Sequence, residues 1–205
     1  MGRVAGGLAG DCGVQEREQG AADSPAKSGE WSNVSLNLVY TYPVQWSRFK
    51  VLRDFVQNFF DAIGPEKWAS TFSWRADGTD LVLEAAGIGF THEWLHHIGA
   101  PTKTAAPEGT FAGFFGEGFK IAALCAHMDH GWAITMASHN WELEVGSTSL
   151  SIDGQSVRAL CYRVRTLPAT GTTRLVIGRT AIRDARTLQN VSFRQACVTL
   201  RRAPS

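Results

Sequence analysis

Three polar residues, Asp54, Asn58 and Asp61, follow one another at spacings of four and three in a segment that is otherwise largely apolar. In a helix this spacing places all three side chains on one face. Phenylalanines flank the stripe, so it lies beside buried surface, where polar groups need partners. The oxygens of Asp54 and Asn58 suit Mg²⁺, which usually keeps waters and substrate phosphates as ligands. An acid beside those waters could act as a general base in attack on a phosphate. A solvated helix face is the alternative.

Two glycine-rich turns are the second chemically suggestive feature. Gly87-Ile88-Gly89 follows a predicted strand, and GFFGEGFK at residues 113–120 leads into a predicted helix. Glycine lets the backbone approach an anion closely, and a helix N-terminus presents free N–H groups and the positive end of its dipole. Lys120 would add a compact charge. Neither turn has the spacing of a P-loop or a dinucleotide fingerprint. Tight turns need glycine in any case, so each turn alone is weak evidence.

The order of these segments resembles that of the GHKL ATPases, the superfamily of gyrase, heat-shock chaperone, histidine kinase and MutL. VLRDFVQNFFDA at residues 51–62 resembles their N-box, and EAAGIGF at 84–90 their Asp-x-Gly-x-Gly box. Further similar segments are IGAPTK at 98–103, the phosphate-lid glycines at 113–120, and Gly-Thr-Thr at 171–173. Together they span about residues 33–178 and are most similar to the Morc- and chaperone-like branch.

This resemblance implies a Bergerat ATP-binding fold: an α+β, two-layer α/β sandwich with a mixed sheet and helices on one face. It implies ATP and Mg²⁺ as ligands, and slow hydrolysis that serves as a conformational switch. By position, Asn58 would ligate Mg²⁺, and Asp54 would stand where the family has the glutamate that activates water. The nucleotide-binding positions that the resemblance implies are Asp61, Ala85, Gly87, Gly89, Lys103, Gly113, Gly116, Gly118, Phe119, Lys120 and Thr173.

Two departures from the family pattern bear on activity. Ala85 stands where the family has an aspartate that accepts the adenine amino hydrogen bond, and Asp54 is one methylene shorter than glutamate. On a strand, Glu84 would point to the face opposite Ala85. An unpaired amino group in a closed pocket costs about 1–3 kcal/mol. The chain is then either a weak ATPase or one inactivated by a substitution at Ala85. A non-catalytic scaffold, or a GHKL fold adapted to another small ligand or reaction, is the alternative.

A rival motif is His92-Glu93-Trp94-Leu95-His96, which matches the H-E-x-x-H signature of zinc hydrolases. On a helix, His92 and His96 share a face and Glu93 could act on a zinc-bound water. A third ligand would have to come from His127, Asp129 or His130. Chance occurrence of so short a pattern is the main alternative, and it falls where the GHKL order expects a short polar helix.

Composition restricts the class of protein. Of 205 residues, 44% are hydrophobic and 19% charged, which excludes wholesale disorder, a coiled coil or a collagen-like fibre. No apolar run is long enough to span a membrane. Four scattered cysteines without CxxC spacing favour a reducing cytoplasm (or a nucleus, in a eukaryote) over a disulfide framework. We expect the chain to bind a nucleotide and to form a homodimer or a larger protein assembly. Binding to nucleic acid is only weakly indicated by the basic extension.

The elements that would position these groups follow from the apolar pattern. We expect a disordered acidic leader at residues 1–30, the GHKL-type domain at 31–180, and an extension at 181–205 whose arginines make it basic. Helices are predicted at 46–63, 93–98 and 118–128. Strands are predicted at 34–40, 68–74, 79–84, 132–138, 141–145, 148–152, 156–165 and 173–177.

Overall fold

The computed structural model describes residues 29–89 and 117–180. In these two ranges the chain forms three helices and seven strands. The helices are α1 (Arg48–Ile63), α2 (Pro65–Thr71) and α3 (Glu117–Met128). The strands are β1 (Ser32–Val39), β2 (Phe72–Asp77), β3 (Asp80–Ala86), β4 (Ala133–Ser138), β5 (Trp141–Ile152), β6 (Gln155–Thr166) and β7 (Thr172–Gly178).

The seven strands form one sheet in the order β1-β6-β5-β4-β7-β3-β2. The α+β class predicted from the sequence is confirmed. The mixed sheet that was also predicted is not found, because all six strand pairings of the described residues are antiparallel. Three of the pairings are hairpins closed by two-residue turns, a connection that only antiparallel strands permit. His139 (φ 51°) and Asp153 (φ 48°) begin two of these turns in the left-handed region that such hairpins favour.

The two faces of the sheet differ in polarity. One face is apolar, and a row of buried side chains crosses it from Trp74 through Leu83, Leu175, Met136 and Leu143 to Val164. The opposite face carries ion pairs between neighbouring strands: Arg75–Glu84, Arg174–Glu84, Arg165–Glu142 and Arg163–Glu144. An antiparallel sheet commonly has one face on the core and one in water, so the apolar face is the one available to the helices.

Helices α1 and α3 contact each other; α1 also contacts β3, and α3 contacts β4 and β5. Ser47 caps α1 by accepting a hydrogen bond from the backbone N of Lys50 at 3.3 Å, and Gly64 (φ 78°) ends it. Phe55 of α1 packs edge-on against Phe119 of α3, with 5.4 Å between ring centroids. Because this contact joins the helices, it fixes the distance between the polar stripe of α1 and the start of α3.

Two predicted elements are wrong. Residues 68–74 do not form one strand, because α2 occupies Pro65–Thr71 and β2 begins only at Phe72. Pro65 stands in the first helical turn, where it is favoured. The break predicted near Gly146 is also absent, since β5 pairs with β6 in unbroken register from Trp141 to Ile152. No helix in the described ranges is long and apolar enough to cross a membrane.

Candidate functional site

Asp54 and Asn58 lie on the side of α1 that meets α3. Asn58 is 7% exposed, and its Nδ2 donates to the backbone oxygen of Asp54 at 2.8 Å. That bond uses the amide as a donor toward the helix, so its Oδ1 is the atom left to accept or to ligate. A Cβ built on Gly118 would lie 2.8 Å from Asp54 Oδ2. The carboxylate of Asp54 therefore rests against the first turn of α3 at a position that glycine keeps open.

The two carboxylates of the stripe have raised pKa values. Burial raises the pKa of Asp54, against the opposing effect of the nearby Arg53 and Lys50. Burial also raises the pKa of Asp61 to about 6, although a hydrogen bond from Gln57 opposes the shift and the charge of Asp54 adds to it. Gln57 Nε2 donates to Asp61 Oδ1 at 2.7 Å. Oδ2 of Asp61 is buried and accepts no hydrogen bond from the described residues. Raised values of this kind are common at functional sites.

The turn at residues 87–89 is tied to the sheet at three points. The N–H of Gly87 (φ 69°) donates to the oxygen of Gly171 at 2.7 Å, and Thr173 Oγ1 donates to the oxygen of Ile88 at 2.6 Å. A Cβ on Gly89 would overlap the imidazole of His139, so that ring sits directly against the glycine. The turn therefore has a fixed position at the ends of β3 and β7.

Ser138 extends this attachment by a further hydrogen bond. Its Oγ lies 2.6 Å from Thr173 Oγ1, and both side chains are fully buried. A hydroxyl has a single proton. Since Thr173 gives its proton to Ile88, Ser138 must be the donor to Thr173. The result is a directed chain from Ser138 to Thr173 to the turn, in which both protons are used.

Ala85 and Glu84 point to opposite faces, as the sequence predicted. Ala85 pairs with Thr173 across β3 and β7 and has no exposed surface. Glu84 lies on the polar face, where Arg75 and Arg174 bind its two carboxylate oxygens. Glu84 therefore cannot supply a carboxylate on the side of Ala85 without breaking its ion pairs with Arg75 and Arg174.

Phe119 and Lys120, predicted to lie around the phosphates, are buried at the start of α3. Phe119 is 1% exposed, because it packs on Phe55. Lys120 has no exposed surface and is held by interactions inside the protein. Neither side chain is presented to solvent, whereas Gly118 in the same turn contacts Asp54 of the polar stripe.

Several predicted residues lie outside the described ranges. These are Lys103, Gly113 and Gly116 of the nucleotide motifs, and His92, Glu93 and His96 of the rival zinc motif. Of the further zinc ligands considered, His130 Nε2 lies 2.8 Å from the backbone oxygen of Trp46. The described residues contain no group of three or more His, Cys, Asp or Glu side chains that could hold a metal ion.

Sequence reasoning missed three residues that support the site: Gln57, Ser138 and His139. Ser138 had a signal, because the alternation of β4 places it on the apolar face beside Met136, where a hydroxyl needs a partner. Gln57 stands four residues before Asp61, a spacing that favours side-chain contact. No feature of the sequence predicted that His139 would contact Gly89, since a histidine in a hairpin turn is ordinarily exposed.

The structure thus brings the described site residues together in two groups. In the first group, Asp54 of α1 contacts Gly118 of α3 and its backbone oxygen accepts a hydrogen bond from Asn58. In the second group, Ala85 pairs with Thr173, and Thr173 donates a hydrogen bond to the turn at 87–89. Comparison with models of protein families and with curated proteins finds no match.

Proposed function

We propose that the chain is a Mg²⁺-dependent ATP-binding domain of the GHKL type that hydrolyses ATP slowly and uses it as a conformational switch. The observation that carries the proposal is the contact between Asp54 and Gly118. The acid of α1 lies against the glycine-containing first turn of α3, and Asn58, one turn further along α1, hydrogen-bonds to the backbone of Asp54. Helix N-termini with accessible N–H groups favour phosphates.

The donor set fits a hydrated Mg²⁺ ion. Asn58 Oδ1 would hold the ion together with waters and phosphate oxygens, which is the usual environment of Mg²⁺ in nucleotide sites. When bound, the ion neutralises developing negative charge on the phosphates. Asp54 would accept the proton of the attacking water, and its raised pKa favours that role because it makes the carboxylate more basic. Its side chain is one methylene shorter than glutamate, which supports a slow rather than a fast reaction.

The second group of site residues, at the ends of β3 and β7, is suited to binding the adenine base of ATP. The resemblance assigns Ala85, Gly87, Gly89 and Thr173 to the adenine side, and these residues lie together on β3, on β7 and in the turn that follows β3. The antiparallel sheet with helices against its apolar face is compatible with a Bergerat fold. Both features support the proposal without depending on the residues of the predicted lid.

A non-catalytic scaffold is the second candidate, and one observation favours it. Ala85, Thr173 and Ser138 have no exposed surface, so the base-binding end is closed. Two open cavities of about 430 Å³ and 470 Å³ lie elsewhere, along residues 40–47 and the end of α3. If the chain does not bind a nucleotide, we expect the interior to be packed at Ala85, as it is in the structure.

Calorimetric titration of a Mg²⁺-bound, non-hydrolysable ATP analogue distinguishes the two candidates. We expect Ala85→Asp to bind at least about tenfold more tightly than the unsubstituted chain, because the carboxylate would accept the adenine amino group. Ala137→Asp is the matched control: it places the same group on the polar face, opposite Arg174. Asn58→Ala should remove the dependence of binding on Mg²⁺.

A buried carboxylate can itself destabilise the domain, so melting temperature is measured for each variant. Ala85→Asn offers a neutral acceptor of similar size if Ala85→Asp does not fold. Absence of binding in the unsubstituted chain and in a folded acceptor variant would overturn the ATPase proposal and favour the scaffold.

A further inference from the structure

The β5–β6 hairpin extends beyond the strand on its other side. β4 pairs with β5 only from Thr135 opposite Glu144 to Ser138 opposite Trp141. The same register places Ala133, the first residue of β4, opposite position 146. Residues 147–152 therefore pair with β6 on one side, and no strand of the described ranges pairs with them on the other. Alternate residues of such an edge direct their N–H and C=O groups outward.

This open edge has none of the features that usually protect a strand edge. Its sequence is Ser-Thr-Ser-Leu-Ser-Ile, without charge or proline. Its register with β6 is unbroken, so it contains no bulge. Ile152 is 48% exposed at its end. An uncharged, regular and exposed edge is a template for pairing with another strand.

The two terminal strands of the sheet are protected by comparison. β1 loses its register between Ser35 and Val39, and Asn37 there has a φ of 53°, an irregularity that interrupts edge pairing. β2 is six residues long and carries Arg75 and Asp77. Residues 147–152 have no such device.

We propose that residues 147–151 of this edge pair antiparallel with the same five residues of a second copy of this chain, across a two-fold axis at Ser149. With this axis, Ser147 of one copy faces Ser151 of the other and Thr148 faces Leu150. Short hydroxyl side chains then meet on one side of the ribbon, and Leu and Thr on the other, with no like charges opposed. Because an antiparallel pair of identical strands is two-fold symmetric, the contact closes as a dimer. The proposal is independent of nucleotide binding.

Analytical ultracentrifugation of the full chain tests the contact, and charge reversal tests its register. A five-residue contact is small, so we expect a reversible dimer whose population rises between about 1 and 500 µM. Ser149→Lys and Ser149→Glu should each weaken dimerisation at least about tenfold, because two like charges face each other at the axis. An equimolar mixture of the two variants should restore the dimer, since opposite charges then meet.

Asn33→Lys on β1 is the matched control. Asn33 lies opposite Arg163 as Ser149 lies opposite Arg158, so both lysines meet an arginine within their own sheet. Melting temperatures distinguish a loss of hairpin stability from a loss of the dimer contact. Within its own sheet, the glutamate of Ser149→Glu lies opposite Arg158 and can form an ion pair with it. A chain that stays monomeric at about 500 µM overturns the proposal. So does equal weakening by Asn33→Lys, or a mixture that fails to re-form the dimer.

Discussion

The carboxylate of Asp61 should cost the domain stability at neutral pH, and Asp61→Asn should recover it. Asp61 Oδ1 accepts a hydrogen bond from Gln57, but the buried Oδ2 accepts none from the described residues. Asparagine has nearly the same shape and keeps an oxygen for Gln57. The substitution therefore removes the poorly solvated charge while it leaves the packing of α1 in place.

The magnitude follows from the pKa of Asp61, which rises from 3.8 to about 6. For a fully buried group this shift corresponds to about 3 kcal/mol, since a tenfold change is worth about 1.4 kcal/mol. Asp61 is only half-buried, and solvent screens its charge, so we expect about 1 kcal/mol. The folded state holds this proton more tightly than the unfolded state. The contribution is thus present below about pH 4 and is lost as pH rises through about 6.

Urea denaturation between pH 4 and pH 8 measures this effect. The free energy of unfolding of Asp61→Asn should exceed that of the unsubstituted chain by about 1 kcal/mol at pH 7.5, with the difference shrinking toward pH 4. Asp153→Asn is the control, because Asp153 is an exposed turn residue whose positive φ asparagine tolerates. Equal pH dependence in the unsubstituted chain and Asp61→Asn, or a loss of stability in the variant, would show that the carboxylate is well paired.

Two glycine substitutions test the close contacts of the site. Gly118→Ala should change stability by less than about 1 kcal/mol, because the gain in helix propensity offsets the displacement of Asp54. It should nevertheless slow Mg²⁺-dependent ATP hydrolysis by about tenfold or more, and an unchanged rate would remove Asp54 from the mechanism. Gly89→Ala should lower stability by about 1–3 kcal/mol, since its Cβ would overlap the His139 ring. Adding His139→Gly, which removes the ring and suits the φ of 51° at that position, should restore most of that loss in thermal melts. The absence of rescue would contradict the contact.

The elements predicted with most success are those with a clear apolar period. The 16 residues of α1 place Val51, Leu52, Phe55, Phe59 and other apolar residues in the core, and the helix ends at Gly64 as expected. α2 was missed because its seven residues are too few to show a helical period, and Trp68 and Phe72 equally suit a strand. The direction of strand pairing could not come from local sequence, since neighbours such as β3 and β7 are about 90 residues apart.

The stripe itself was predicted, but its partners were not. A period of four and three residues placed Asp54 and Asn58 on one face, and Asn58 also hydrogen-bonds the backbone of that helix. That Asp54 would rest on Gly118, or that His139 would cover Gly89, depends on how separate elements pack. Such contacts join residues about 50 to 65 positions apart, where no sequence spacing carries information.

The two groups of the site also differ in how well their polar atoms are satisfied. At the ends of β3 and β7, Ser138, Thr173 and the oxygen of Ile88 form a complete chain of hydrogen bonds in a buried setting. On α1, Asp61 has a buried oxygen without a partner among the described residues, and Asp54 has a raised pKa. Sequences tend to break local rules of stability where function requires it. If Asp61→Asn stabilises the domain and also weakens binding of the Mg²⁺-bound nucleotide, the unfavourable stripe is retained for binding. If it stabilises the domain and binding is unchanged, Asp54 and Asn58 are the residues of the stripe that bind the ligand. Asp61 then interacts only with its own helix, through Gln57.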